Sequence, residues 1–113
     1  MTDRARKLLY DILSAIELIE LFTRETGSFQ EYQSDLKTKS AVERQLLILG
    51  EAVNQYSRVA PEFPLRNTKR IVSFRNRLAH DYSAIDDAIV WAVLTKHLQT
   101  LKEEVVFYLE KFK

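Results

Sequence analysis

The 113-residue sequence predicts an all-α fold, an antiparallel bundle of four to five helices that is expected to form a homodimer. Three observations lead there. Apolar residues recur at helical spacing through long runs. Only two glycines and two prolines (Gly27, Gly50, Pro61, Pro64) are available to punctuate strands and turns. Apolar residues make up 46% of the chain, enough for one modest core. No repeat, low-complexity tract or linker divides the chain, so residues 1–113 read as a single helical domain.

The first helix is expected over residues 3–26, with Leu8, Leu9, Ile12, Ile16, Ile19 and Phe22 as its stripe and Gly27 as its end. Residues 28–34 read as a polar connection in which Phe29 and Tyr32 pin a loop to the core. Asp35 is the expected N-cap of a second helix reaching Arg58 or Val59. Its seam is Val42, Leu46, Leu49, Val53, Tyr56 and Ala60. Gly50 inside that helix costs about 1 kcal/mol relative to alanine, which points to the close approach of another helix.

Pro61 and Pro64 close the second helix. A third is expected from Asn67 or Thr68 to about Ala79. A fourth runs from near Asp86 almost to Lys113, striped by Val90, Leu94, His97, Leu101, Val105, Tyr108 and Phe112. Residues 88–94 are apolar on nearly every side of that helix. Such a helix is either surrounded within its own domain or shared with a second chain, and the small size of the domain favours the second chain.

Composition excludes several classes. Without cysteine there is no disulfide framework, thiolate metal site or cysteine nucleophile, which fits a reducing compartment. No apolar run approaches the ~20 residues that span a bilayer, and the charged N-terminus leads into an amphipathic helix. A cytoplasmic location without a membrane partner is therefore expected. No glycine-rich loop exists to cradle a nucleotide phosphate in the P-loop manner. The net charge of +1 means that any nucleic acid must be held by a local patch.

Such a patch is legible. No acidic residue occurs from Leu65 to His80, whereas Arg66, Lys69, Arg70, Arg75 and Arg77 are all basic. That segregation suits phosphate, although a basic face with no partner but water is the plainer reading. Ile71, Phe74 and Leu78 define the apolar face of the third helix, and Arg66, Arg70 and Arg77 project away from it. Arg75 lies at its edge. A cation there needs a phosphate, a carboxylate or the mouth of a dimer groove beside it.

His80 follows Arg75 by five positions, which on an unbroken helix is about 140° around the axis and ~7.5 Å along it. The two act together only if the helix ends just before His80 or if the site combines two chains. Histidine can move protons at the 2′-hydroxyl or the leaving oxygen of RNA, while arginine stabilises charge on phosphorus, so the pair is a sufficient kit without metal. The spacing alone carries little weight.

The other polar candidates read as structural. His97 falls on the apolar stripe of the last helix and is expected to be packed in the core. Two such histidines do not make a zinc site, and Asp86 and Asp87 read as helix N-terminal charge, so no metal or cofactor is expected. Trp91 is expected in the core or at an interface, and Glu51 either facing a cleft or supporting Arg75.

The segment Arg75-Asn76-Arg77-Leu78-Ala79-His80-Asp81-Tyr82 resembles the Arg-x4-His-x-Tyr signature of the HepT-like branch of HEPN-domain proteins. Ala41-Val42-Glu43-Arg44-Gln45-Leu46 with Gly50-Glu51-Ala52 resembles that family's second helix, and Ile85-Asp86 with Val90-Trp91 the start of its last. The likeness covers nearly the whole chain in the right order.

The resemblance implies a dimeric helical bundle with two copies of the motif along a shared cleft. Arg75 and His80 would be the catalytic pair of a metal-independent endoribonuclease toxin that leaves a 2′,3′-cyclic phosphate. Asn76 would order the motif or contact substrate, with Lys69, Arg70 and Arg77 supplying further phosphate contacts. Tyr82 resembles the tyrosine to which a partner nucleotidyltransferase, the MNT-type antitoxin, transfers AMP. RNA, not DNA, is the implied substrate. The rival expectation is a catalytically silent helical module that binds RNA, a nucleotide or a nucleotidyltransferase through the same basic face.

Overall fold

A computed structural model describes residues 1–80 and 85–113. Its helices are α1 (Asp3–Phe22), α2 (Phe29–Ser34), α3 (Leu36–Val59), α4 (Thr68–His80), α5 (Asp87–Ala92) and α6 (Leu98–Lys111), with a π-turn at Val93–His97 joining the last two. The all-α bundle expected from the sequence is the observed architecture, and no strand occurs among the described residues.

Local chemistry sets the ends of these helices. Thr2 caps α1 by accepting the Ala5 N–H at 3.1 Å. The helix stops at Phe22, not near Thr26: after the Thr23 N–H closes the last i→i−4 bond on the Ile19 carbonyl, the Arg24 N–H turns to the Leu21 carbonyl and the Thr26 N–H to the Thr23 carbonyl in tighter i→i−3 turns. The expected loop at residues 28–34 is instead the short helix α2. Ser28 caps it, and the Glu31 carboxylate reaches back to the Gly27 N–H at 2.8 Å, closing its first turn. Tyr32 is fully buried, as a pin to the core, and stacks on Trp91 at 5.6 Å. Asp35 caps α3 through the Thr38 N–H and hydroxyl, as expected.

All six residues of the predicted α3 seam are buried, and α1 packs chiefly against this helix. Salt bridges and caps give the direction of packing. Arg6 donates to the Phe112 carbonyl at one end of α1 and Lys102 pairs with Glu20 at the other, so α6 runs antiparallel to α1. The proline turn between α3 and α4 is clamped by two phenols: the Tyr56 hydroxyl donates to the Phe63 carbonyl and the Tyr108 hydroxyl to the Pro64 carbonyl, each at 2.8 Å. Phe63 packs against the Phe112 ring at 4.6 Å, so the entry to α4 is held from two sides.

The last helical run departs from expectation at one place. The Leu98 N–H bonds the Val93 carbonyl, an i→i−5 bond that admits one extra residue to the turn. Beyond it Leu101 and Val105 are buried as expected, but their neighbours in the row change. Leu98 and Leu109 are buried where His97 and Tyr108 were expected, and His97 is exposed, not packed in the core. Asp86 caps α5 by accepting the Ala88 N–H at 2.8 Å, while Asp87 pairs with Lys39 at 2.8 Å and joins the starts of α5 and α3. Both aspartates thus serve the helix start, as their sequence position suggests.

Glu43 lies near that pair. Burial raises its pKa above the usual carboxylate value and Asp87 adds to the rise, against the opposing pull of Lys39. Ionising Glu43 therefore works against the fold. The stability tied to its protonated form is complete below the ordinary pKa and is lost as pH rises through the raised one. Glu43→Gln is expected to raise the melting temperature at pH 7 and to leave it unchanged at about pH 3, where both side chains are neutral. Circular dichroism melts at the two pH values check this, and no gain at pH 7 would contradict the burial account.

Candidate functional site

Helix α4 carries the basic segment. Of its apolar face, Leu78 is buried and Ile71 and Phe74 are half-buried against the core. Lys69, Arg70, Asn76, Arg77 and His80 are exposed, as is Arg66 just before the helix. The predicted segregation is therefore real: one solvent-facing surface carries cations with no acid of its own helix among them.

Arg75 differs from all of these. Its side chain is only 20% exposed because α4 presses against α3 at Gly50. A Cβ built on Gly50 would overlap Arg75 Cβ and stand 2.6 Å from Arg75 Cγ. These atoms sit at the stiff base of the side chain, so they cannot swing aside without moving α4. Gly50 is the point of close helix approach that its mid-helix position implied.

The partner that Arg75 requires is Glu51, whose Oε2 lies 3.0 Å from Arg75 Nη1. Glu51 is itself steadied by Gln55, which donates to its Oε1 at 3.1 Å. Glu51 is 47% exposed, so the pair opens to solvent on the carboxylate side. Arg75 Nε is buried and has no hydrogen-bond partner among the described residues, a state that costs on the order of 1–3 kcal/mol for a buried donor. The guanidinium is anchored but incompletely satisfied.

His80 is the last residue of α4, so the helix does not end just before it. Arg75 and His80 of one chain therefore diverge by about 140° around α4 and ~7.5 Å along it. Of the two conditions under which they can cooperate, the first is not met within this chain. Tyr82 lies outside the described residues. Among the described residues no three metal-ligating side chains cluster, and no helix is long and apolar enough to cross a membrane.

One feature escaped sequence reasoning. A cavity of about 240 Å³ opens between α3, α4 and the π-turn, walled by apolar side chains and rimmed by Asn67, Arg70, His97 and Glu104. Val93 and His97, two of its lining residues, belong to the π-turn, which no glycine or proline marks. The only trace in the sequence is that Leu98 and Leu109 offer a second apolar row beside the one through His97 and Tyr108.

The family profile described as "Ribonuclease HepT-like" matches residues 12–106. The chain is 41% identical over 98 residues to "Probable ribonuclease HepT" of Thermococcus cleftensis, covering 83% of this chain and 86% of that protein. It is 35% identical to each of two Methanocaldococcus jannaschii proteins named as candidate RNases. These alignments cover 87% and 88% of this chain, and 82% and 92% of the relatives. No solved structure shows a significant match.

The Gly50 contact yields a direct prediction. Alanine at a mid-helix position ordinarily gains about 1 kcal/mol over glycine. Here the overlap with Arg75 reverses the sign, and Gly50→Ala is expected to destabilise the protein by about 1–3 kcal/mol in urea unfolding. A variant as stable as the parent would mean that α4 does not press on α3 as described.

Proposed function

The chain belongs to the HepT-like ribonuclease family, and from that premise we propose that it is a metal-independent endoribonuclease acting as the toxin of a toxin–antitoxin pair. It works as a cytoplasmic homodimer, with RNA as substrate and an MNT-type nucleotidyltransferase as antitoxin. The observation that carries this reading is Arg75: a guanidinium anchored by Glu51 at the edge of an apolar seam, with Nε unpartnered among the described residues, on a helix whose opposite face is cationic and free of acid from that helix.

The chemistry follows from the two side chains. Neutral His80 takes the proton from a ribose 2′-hydroxyl, whose oxygen attacks the adjacent phosphorus. Arg75 stabilises the charge gathering on the phosphoryl oxygens. The 5′-oxygen leaves with a proton returned to it, and a 2′,3′-cyclic phosphate remains. Because α4 continues through His80, Arg75 of one copy works with His80 of the other across the dimer cleft. Lys69, Arg70 and Arg77 hold flanking phosphates, and Asn76 orders the motif. Transfer of AMP to Tyr82 adds negative charge and bulk near this groove and excludes RNA by repulsion and occlusion.

A second reading has one observation in its favour. Glu51 already occupies Arg75, as it would in a silent module that binds RNA or a nucleotidyltransferase without turnover. Purified, unmodified protein incubated with total cellular RNA in EDTA separates the two. The nuclease reading expects cleavage with cyclic-phosphate ends that disappears in His80→Ala. RNA bound but uncut by the unmodified protein would select the silent module. The role of Tyr82 has its own test: Tyr82→Phe is expected to cleave RNA and to resist silencing by the nucleotidyltransferase with ATP. Silencing through modification of that variant would remove Tyr82 from the switch.

A further inference from the structure

The cavity beside the π-turn lies away from Arg75. Arg70 and Arg77 stand about 140–160° around α4 from Arg75, and Arg70 is the one on the cavity rim. Phe74, Leu49 and Leu101 form much of its wall, so its interior is apolar and ring-lined on the α4 side. At about 240 Å³ it falls just below the ~300 Å³ at which pockets for drug-sized ligands begin, room for one planar ring system.

The polar groups sit only at the mouth. Among the described residues the Asn67 side chain, the Arg70 guanidinium and the His97 imidazole make no hydrogen bond or ion pair. The fourth rim group, Glu104, is partly neutralised. Its Oε2 accepts the Arg66 backbone N–H at 3.0 Å and lies 3.7 Å from Arg66 Nε. His97 reaches the mouth because the π-turn rotates it out of the buried row, and π-turns within α-helices occur often at functional sites.

We propose that this cavity is a nucleobase subsite, which takes one unstacked base of an RNA strand lying across α4. The base edge would meet Asn67, His97 and Glu104, and the adjoining phosphate Arg70. An apolar slot with a ring on one wall suits the face of a base, and spare donors and acceptors at the mouth suit its edge. The charge of the strand matches the acid-free surface of α4 that leads from His80 past Arg77 to Arg70. The inference rests on RNA being the substrate and adds to it a base contact remote from Arg75, which phosphate contacts alone do not supply.

The test uses 2′-O-methyl octanucleotides of A, C or U, which lack the attacking hydroxyl and remain intact. One abasic residue is walked along each, and binding is read by fluorescence anisotropy. A base subsite predicts one position at which the missing base weakens binding by about tenfold while its neighbours have little effect. Val93→Trp, which fills the cavity, should erase that position dependence. His97→Ala, at an exposed site, should keep the fold and level the affinities of the A, C and U strands. A walk in which no position stands out overturns the subsite, whatever the cleavage assay shows. A Val93→Trp protein that loses its dimer in sedimentation, with the abasic pattern unchanged, would give the cavity to a second copy of the chain. Failure of cleavage with the position dependence intact would count against catalysis alone.

Discussion

The contact on which the site depends is the crossing of α3 and α4 at Gly50, where there is no room for even a methyl group. Because residue 50 has no side chain, the base of Arg75 lies directly on the α3 backbone. The guanidinium is thereby delivered to Glu51 in the next position of α3. A larger residue would push α4 outward and with it the whole basic surface. The close approach also buries Arg75 Nε away from water, which a looser crossing would leave hydrated. A helix-propensity penalty in α3 is thus exchanged for the placement of a cation on α4.

The rest of the bundle keeps that crossing in place. Two tyrosine hydroxyls and the aromatic contacts of Phe63 hold the proline turn from which α4 starts. At the other end of α3 the Lys39–Asp87 pair ties in α5. Both side chains of that pair are largely shielded from water, so it is screened less than a surface salt bridge. The π-turn then lets α6 continue along α1 while His97 turns outward. The cationic face and the cavity beside it both follow from α4 packing on α3, with the final helical run set off from it across the cavity.

Much of this was legible because it rests on periodicity and capping, which are local. The α3 seam, the Asp35 cap, the helix start at Asp86 and Asp87, the significance of Gly50 and the need of Arg75 for a partner could all be read from neighbouring residues. Glu51 was in view as a possible support, but only the fold shows that it is the partner. What could not be read depends on geometry without a residue signature. The π-turn contains no glycine or proline, so the row through His97 and the row through Leu98 were equally acceptable until tertiary packing chose. The end of α4 was legible to within one residue, and that residue matters here. Nothing in Ala79-His80 stops a helix, and the chain continues helical for one residue more than the Arg75–His80 pairing would favour within one copy.

With Arg75 and His80 diverging on one continuous helix, an active centre must take Arg75 from one chain and His80 from another. Mixing Arg75→Ala and His80→Ala proteins, each inactive alone, measures it. Subunit exchange gives heterodimers in which one of the two composite sites retains both side chains. The account predicts that RNA cleavage returns on mixing and approaches about a quarter of the activity of the same amount of unaltered protein, because about half of the dimers are mixed and each mixed dimer keeps one of its two sites. A mixture confirmed to contain heterodimers that remains inactive, while the unaltered protein cleaves, would contradict a site shared between two chains.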